Sequence, residues 1–279
     1  MPGSRNITAG TLLDEALDAL DGGDAERALD LAIEGSRLAG RGDDEELTAR
    51  LALAEGQALL ALGDSRKALE RIALAARAFP GDLDVRAEEA NALYELSRFE
   101  EAADLLTRIL HEDPGDAGSH WLLGLCLERL GRIDGAERHL LRARQIAPED
   151  FPVPVSLSPD AFEAVVEEAL AVLPEPVRRY LGNVAVTVED LPEAEELLSS
   201  DPPHSPSILG IFRGSPLGEK ASMDPWSHFP SAIALFQRNL ERYARDREEL
   251  QEEIRVTLLH EVGHFLGLDE EQLRELGLD

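Results

Sequence analysis

Through the first 150 or so residues, apolar side chains recur at three- and four-residue intervals, the period of helices buried on one face. The pattern also repeats on a longer scale. Ala68, Ala102 and Ala136 are 34 residues apart, and so are Pro80, Pro114 and Pro148. The last unit carries Leu123, Gly124, Leu127, Gly131, Ala136, Leu140, Ala143 and Pro148; the one before it Ala90, Leu93, Phe99, Ala102, Leu106 and Pro114. An earlier unit has Gly56, Leu59, Gly63, Ala68, Ile72, Ala75 and Pro80, and a degenerate first unit Ala16, Gly23, Ala28 and Ala32. Each proline falls just past a second helix and blocks its continuation. Small residues at fixed places let paired helices approach closely, and each unit buries its apolar face only against its neighbours.

With that period and those small and large positions, residues 9–150 resemble an array of about four tetratricopeptide repeats. The resemblance implies an all-α stack of helix pairs with a groove that takes a protein or peptide partner. Asn91, Tyr94 and Trp121 fall on first helices and are candidates to line the groove or to pack between repeats. No cluster of Lys or Arg marks a carboxylate-binding groove. His111, His120 and His139 are scattered through the units and read as structural or solvent-exposed.

The pattern changes after Pro148, where Pro152 and Pro154 make a stiff connector. Ser158-Pro159 starts a helix to about Leu173, and a short one covers Glu175 to Leu181. Asn183–Val188, Ser207–Arg213 and Ser231–Phe236 are rich in β-branched and apolar residues and read as strands. A short helix is expected over Leu191–Leu198, and a long loop over Gly214–Pro230 holds Met223, Trp226 and His228. From about Asn239 the chain turns helical and stays so through Leu266. The expected whole is a helical repeat array followed by a small α+β domain at residues 151–279.

Charge narrows the function. Among 279 residues, 56 are acidic and 27 basic, a formal charge of −29. That argues against nucleic acid or an anionic membrane as a partner held by bulk electrostatics. Cys126 is the single cysteine, so no disulfide forms within the chain and a reducing, cytoplasmic setting fits. The first residues show no apolar signal segment and no run reaches membrane-spanning length, so the expectation is a soluble protein.

The candidate chemistry lies near the C-terminus, in Leu259-His260-Glu261-Val262-Gly263-His264-Phe265-Leu266-Gly267. On a helix, His260 and His264 share a face and can hold one metal ion. Glu261 is one step round, placed to act as general base on a zinc-bound water. The flanks Val256, Leu258, Leu259, Val262, Phe265 and Leu266 are apolar, so the helix is mostly buried and its polar residues need partners. Gly267 ends the helix and turns the chain back.

Together with Val186–Pro192, Leu209–Gly214 and Ile233–Arg238, this stretch is similar to a small bacterial family of zinc peptidases with a minimal zincin fold. The likeness spans about Phe162 to Leu278. It implies Zn²⁺, peptide hydrolysis with Glu261 activating the water, and a pattern H-E-x-x-H-x-x-G-x-x-D. The last position falls on Glu270 rather than Asp, and Asp269 stands one residue early. Glu270 is the expected third ligand, with Asp269 or a distant group as alternatives. Asp269 also reads as the N-cap of a final helix, closed by Gln272. His204 and His228 are further metal or transition-state candidates. The rival reading is a non-catalytic repeat protein whose zincin domain holds metal structurally or not at all; a hydrolase of a non-peptide amide is a third.

Overall fold

The computed structural model describes residues 7–40, 44–182, 184–200, 203–214 and 231–275. By their contacts these fall into two compact units. The first runs to Phe151 and also takes in Ala194–Pro206; the second comprises Pro152–Glu193 and the chain from Ser207 onward.

The first unit is a run of helix pairs: α1 (Ala9–Asp21) with α2 (Ala25–Ala39), α3 (Glu45–Ala61) with α4 (Ser65–Ala78), α5 (Leu83–Glu95) with α6 (Phe99–Glu112), and α7 (Ala117–Arg129) with α8 (Ile133–Ile146). Much of the acidic charge begins helices. Asp24, Asp44, Asp64, Asp82 and Asp116 are N-caps whose carboxylates accept first-turn backbone N–H groups. Each satisfies an otherwise unpaired donor and is worth about 1 kcal/mol. The repeating alanines Ala68, Ala102 and Ala136 are buried where helices cross. Gly124 is needed for closeness, since a Cβ there would stand 2.7 Å from Leu140 Cγ on the facing helix. Consecutive helices pack, and the first helices also touch in series, α1 on α3, α3 on α5 and α5 on α7. Those first helices therefore form one continuous face.

Two of the candidate groove residues instead serve packing. Tyr94 is buried against Phe99, with ring centroids 5.5 Å apart. Trp121 stacks on Phe151 at 5.1 Å, and the Arg144 guanidinium lies over its ring, 5.8 Å from the centroid. Asn91 lines an open cleft with Leu17, Leu20, Gln57 and Glu88.

In the second unit helices pack on a sheet of three strands among the described residues. α9 (Pro159–Ala171) begins at the Ser158 cap with proline in its first turn, and α10 (Glu175–Leu181) follows. Strands β1 (Val184–Glu189), β2 (Gly210–Arg213) and β3 (Ser231–Phe236) lie in the order β1-β3-β2, with β1 parallel and β2 antiparallel to β3. The short helix α11 (Ala194–Leu197) belongs with the first unit. After β3 come α12 (Gln237–Tyr243), α13 (Arg247–Leu266) and α14 (Glu270–Glu275).

The expected single helix from Asn239 is thus two. Ala244 is extended (φ −75°, ψ 138°), and Asp246 restarts the chain as N-cap by accepting from Glu248 N and Glu249 N at 2.9 and 3.0 Å. Strand β2 is also shorter than its apolar run, because the Ile208 carbonyl is taken by Asn239 Nδ2 at 2.7 Å. Ile233 and Leu235 of β3 pack with Leu258, Val262 and Phe265 of α13 and with Phe162, Val165 and Val166 of α9. This core holds α13 across one face of the sheet.

Candidate metal centre

His260 and His264 stand on successive turns of α13, and their Nε2 atoms are 3.0 Å apart. The rings meet edge to face, centroids 4.7 Å apart and planes at 80°. Tetrahedral zinc with two imidazole ligands needs those nitrogens roughly 3.3 Å apart, from Zn–N bonds of about 2.0 Å. The pair therefore fits a divalent metal with only a small opening of the rings.

The helix end fixes one of the two rings. Gly267 is left-handed (φ 89°), and Leu268 N donates back to the Gly263 carbonyl at 3.0 Å, a Schellman-type stop. That turn brings the Leu268 carbonyl to 3.3 Å from His264 Nδ1. With Nδ1–H donating there, Nε2 is left with its lone pair toward His260, the usual outer-shell arrangement of a metal-binding imidazole.

Glu261 is buried, 6% exposed, on the side of α13 that meets the sheet. Gly210, the first residue of β2, lies against it. A Cβ on Gly210 would come within 2.7 Å of Thr257 Cγ2 and 3.3 Å of Glu261 Cγ. One residue pair further along the strand, Phe212 meets the Phe265 ring at 5.9 Å. Strand β2 is thereby laid directly beside the candidate base. Sequence reasoning did not pick out Gly210; the signal was a glycine inside an apolar run, which marks a close backbone approach.

The ligand set beyond the two histidines is less complete. Asp269 caps α14: its Oδ1 accepts from Gln272 N at 2.9 Å while Gln272 Oε1 accepts from Asp269 N at 3.0 Å. Glu270 is the first residue of α14, and its side chain lies outside the described residues, as do His228 and Met223. Among the described residues, no group of three or more His, Cys, Asp or Glu gathers to hold a metal. His204 is grouped with the repeat unit and donates its backbone N–H to the Leu197 carbonyl at 2.9 Å.

A second imidazole pair escaped the sequence. His120 on α7 and His139 on α8 bring their Nδ1 atoms to 2.9 Å. Burial, then the neighbouring His120, holds His139 below the usual histidine range. The two rings satisfy one another by a hydrogen bond when one is the donor tautomer and the other the acceptor.

Comparison with known proteins agrees with both halves. Residues 181–278 match the zincin-like metallopeptidase family, and residues 53–117 and 87–151 match the tetratricopeptide repeat. The chain thus joins a tetratricopeptide array to a zincin-like domain. No curated protein matches it. Solved structures similar to it include MamA 41-end from Desulfovibrio magneticus RS-1, 20% identical over 52% of this chain and 79% of that one, with a TM-score of 0.44. MamA MSR-1 is 20% identical over 53% and 82%, with a TM-score of 0.43. No helix among the described residues is long and apolar enough to cross a membrane.

Proposed function

We propose that the chain is a zinc-dependent peptidase whose repeats recruit a protein partner or substrate. The observation that carries this reading is the facing His260–His264 pair with buried Glu261 beside them and β2 laid against Glu261. His260, His264 and Glu270 would hold the metal, which supplies Lewis acidity toward a water and a scissile carbonyl. Glu261 takes the proton of the attacking water and passes it to the leaving amine. Among the described residues β2 pairs with β3 alone, and it is the strand nearest Glu261. It holds an extended substrate by main-chain pairing. Residues 9–150 and 151–279 act as the recruiting and the catalytic domain. A cytoplasmic setting accords with the single buried thiol of Cys126.

Elemental analysis of the purified chain, wild type and His264→Ala, tests the site. One zinc per chain, lost in the variant, is expected. Glu261→Gln is expected to keep the zinc and to lose cleavage of a mixed-peptide pool by about a hundredfold or more. Cleavage that survives Glu261→Gln would sink the mechanism.

The capping role of Asp269 favours one rival: a repeat protein that binds partners, with a zincin domain that does not turn over substrate. Under that reading the chain stays without metal after zinc supplementation, or holds it and cleaves nothing.

A further inference from the structure

The first helices of the repeats carry a contact that the stacking of repeats does not require. The segment Ala194–Pro206 leaves from β1 and returns to β2 in sequence, yet its contacts place it with the repeats. Its end is held from two first helices. Glu95, the last residue of α5, accepts a hydrogen bond from the Ser205 hydroxyl. Arg129, the last residue of α7, donates through Nη2 to the carbonyl oxygen of Pro206. Pro206 is buried, and so is Leu197 at the start of the segment.

Both holding groups are themselves placed. Arg129 lies over the Phe99 ring, 5.9 Å from its centroid. Burial pushes the Glu95 carboxyl above the usual glutamate range, and Ser205 and then Arg129 draw it back. A carboxylate removed from water in this way gains more from a hydroxyl donor than one on the surface.

The pair asks for specific features. An arginine donating to a main-chain carbonyl requires a backbone whose carbonyl is not committed to a helix, here the turn at Pro206 and Ser207. Proline supplies that with φ already fixed, so little entropy is lost on docking. The carboxylate asks for a hydroxyl on the residue before it. From Glu95 the same face continues as a cleft of about 490 Å³, lined by Leu17, Leu20, Asp21, Glu88 and Asn91. Its side chains are acidic, amide and apolar, which suits a flank with Lys or Arg and an apolar residue.

We propose that Glu95 and Arg129 form a reader for a hydroxyl–proline turn, filled in cis by Ser205-Pro206. A partner protein bearing a Ser-Pro or Thr-Pro segment with a basic, apolar flank takes the site by displacing the chain's own segment. This deepens the reading that the repeats recruit a partner and is independent of the zinc chemistry.

The test uses the full chain and a fluorescent peptide with the sequence of residues 203–208. In the wild type the tethered copy is present at an effective concentration on the order of millimolar and competes with the peptide. The Ser205→Ala/Pro206→Gly variant vacates the reader, and the peptide is expected to bind it at least about tenfold more tightly than wild type. Adding Arg129→Gln to that variant is expected to abolish the gain. Equal affinity in wild type and vacated variant, no binding to a folded vacated variant, or a gain that survives Arg129→Gln would each overturn the proposal. Hydrogen exchange on the wild type gives a second readout that needs no variant. Millimolar peptide is expected to speed exchange at the Ser205 and His204 amides, and unchanged exchange would overturn the proposal. Zinc content measured on the same samples separates this outcome from failure of the peptidase reading.

Discussion

Gly210 and Glu261 are packed so closely that a single added carbon would disturb them. A Cβ on Gly210 would meet Glu261 Cγ at 3.3 Å and Thr257 Cγ2 at 2.7 Å, with the Ala234 carbonyl 3.1 Å away on the other side. The strand cannot retreat without breaking its pairing to β3, where Gly210 lies opposite Leu235. Gly210→Ala is therefore expected to cost about 1–3 kcal/mol, as overpacking does. Hydrogen exchange of the α13 amides is the direct measure, and they should exchange about tenfold faster or more. Exchange at the wild-type rate would show that the helix and strand are not in this close contact.

Asp269 and Glu270 are separable by their expected effects. Asp269 closes a capping box with Gln272. Asp269→Ala should then fray α14 at a cost of about 1 kcal/mol and leave zinc content unchanged. Glu270→Ala should lower zinc retention against a chelator, with little effect on α14. The opposite pattern would make Asp269 the ligand and displace Glu270 from that role.

The repeats were legible because each signal occurs several times: Ala68, Ala102 and Ala136 enforce the same helix crossing, and Pro80, Pro114 and Pro148 repeat the same two intervals. The candidate metal helix was legible because its motif is local, two histidines four residues apart on one face. What stayed hidden depends on contacts between residues far apart in sequence. The break at Ala244 turns on Asp246 being a cap rather than a helix-interior residue, and acidic side chains abound in this chain. Tyr94 looked like a groove residue on its helical position but is taken by Phe99 from the next helix. The His120–His139 pair spans α7 and α8, and the docking of Ser205 on Glu95 links residues 110 positions apart (205 − 95). No periodicity encodes either.

The pair formed by Glu189 and Arg213 gives a pH dependence whose sign is determined. Arg213 Nη1 and Nη2 donate to Glu189 Oε1 and Oε2 at 2.5 and 2.9 Å, on the sheet face away from Phe212 and α13. The hydrogen bonds from the Arg213 guanidinium hold the Glu189 carboxyl below its ordinary 4.5. A lowered folded-state value means stability that is present above 4.5 and lost as pH falls through the folded-state value. Each side chain is about a third exposed, so solvent screening keeps the effect to roughly 1 kcal/mol or less. Glu189→Gln should therefore be less stable than wild type near neutral pH, and the gap should close in acid. Thermal unfolding of both proteins across that range measures it, and a gap that widens in acid would contradict the assignment.

Cys126 offers the simplest check on the repeat core. It is fully buried in the cluster formed by Leu93, Leu106, Ile109 and Leu123, and burial pushes its thiol up to about 12. The reactive species is the thiolate, so at about pH 8 both the protonation state and the lack of access protect it. The native chain should show no reaction with a disulfide reagent over the time in which a denatured sample reacts fully. Because each repeat is held only by its neighbours, opening at this place requires separating α7 from α6 and not the loss of a whole domain. The rate of labelling in dilute denaturant thus reports the stability of the α6–α7 interface itself. Replacing Ile109 with Ala should raise that rate about thirtyfold or more, in line with a loss of 2–5 kcal/mol for a truncated core side chain. Rapid labelling of the wild type without denaturant would mean that this interface is open in solution.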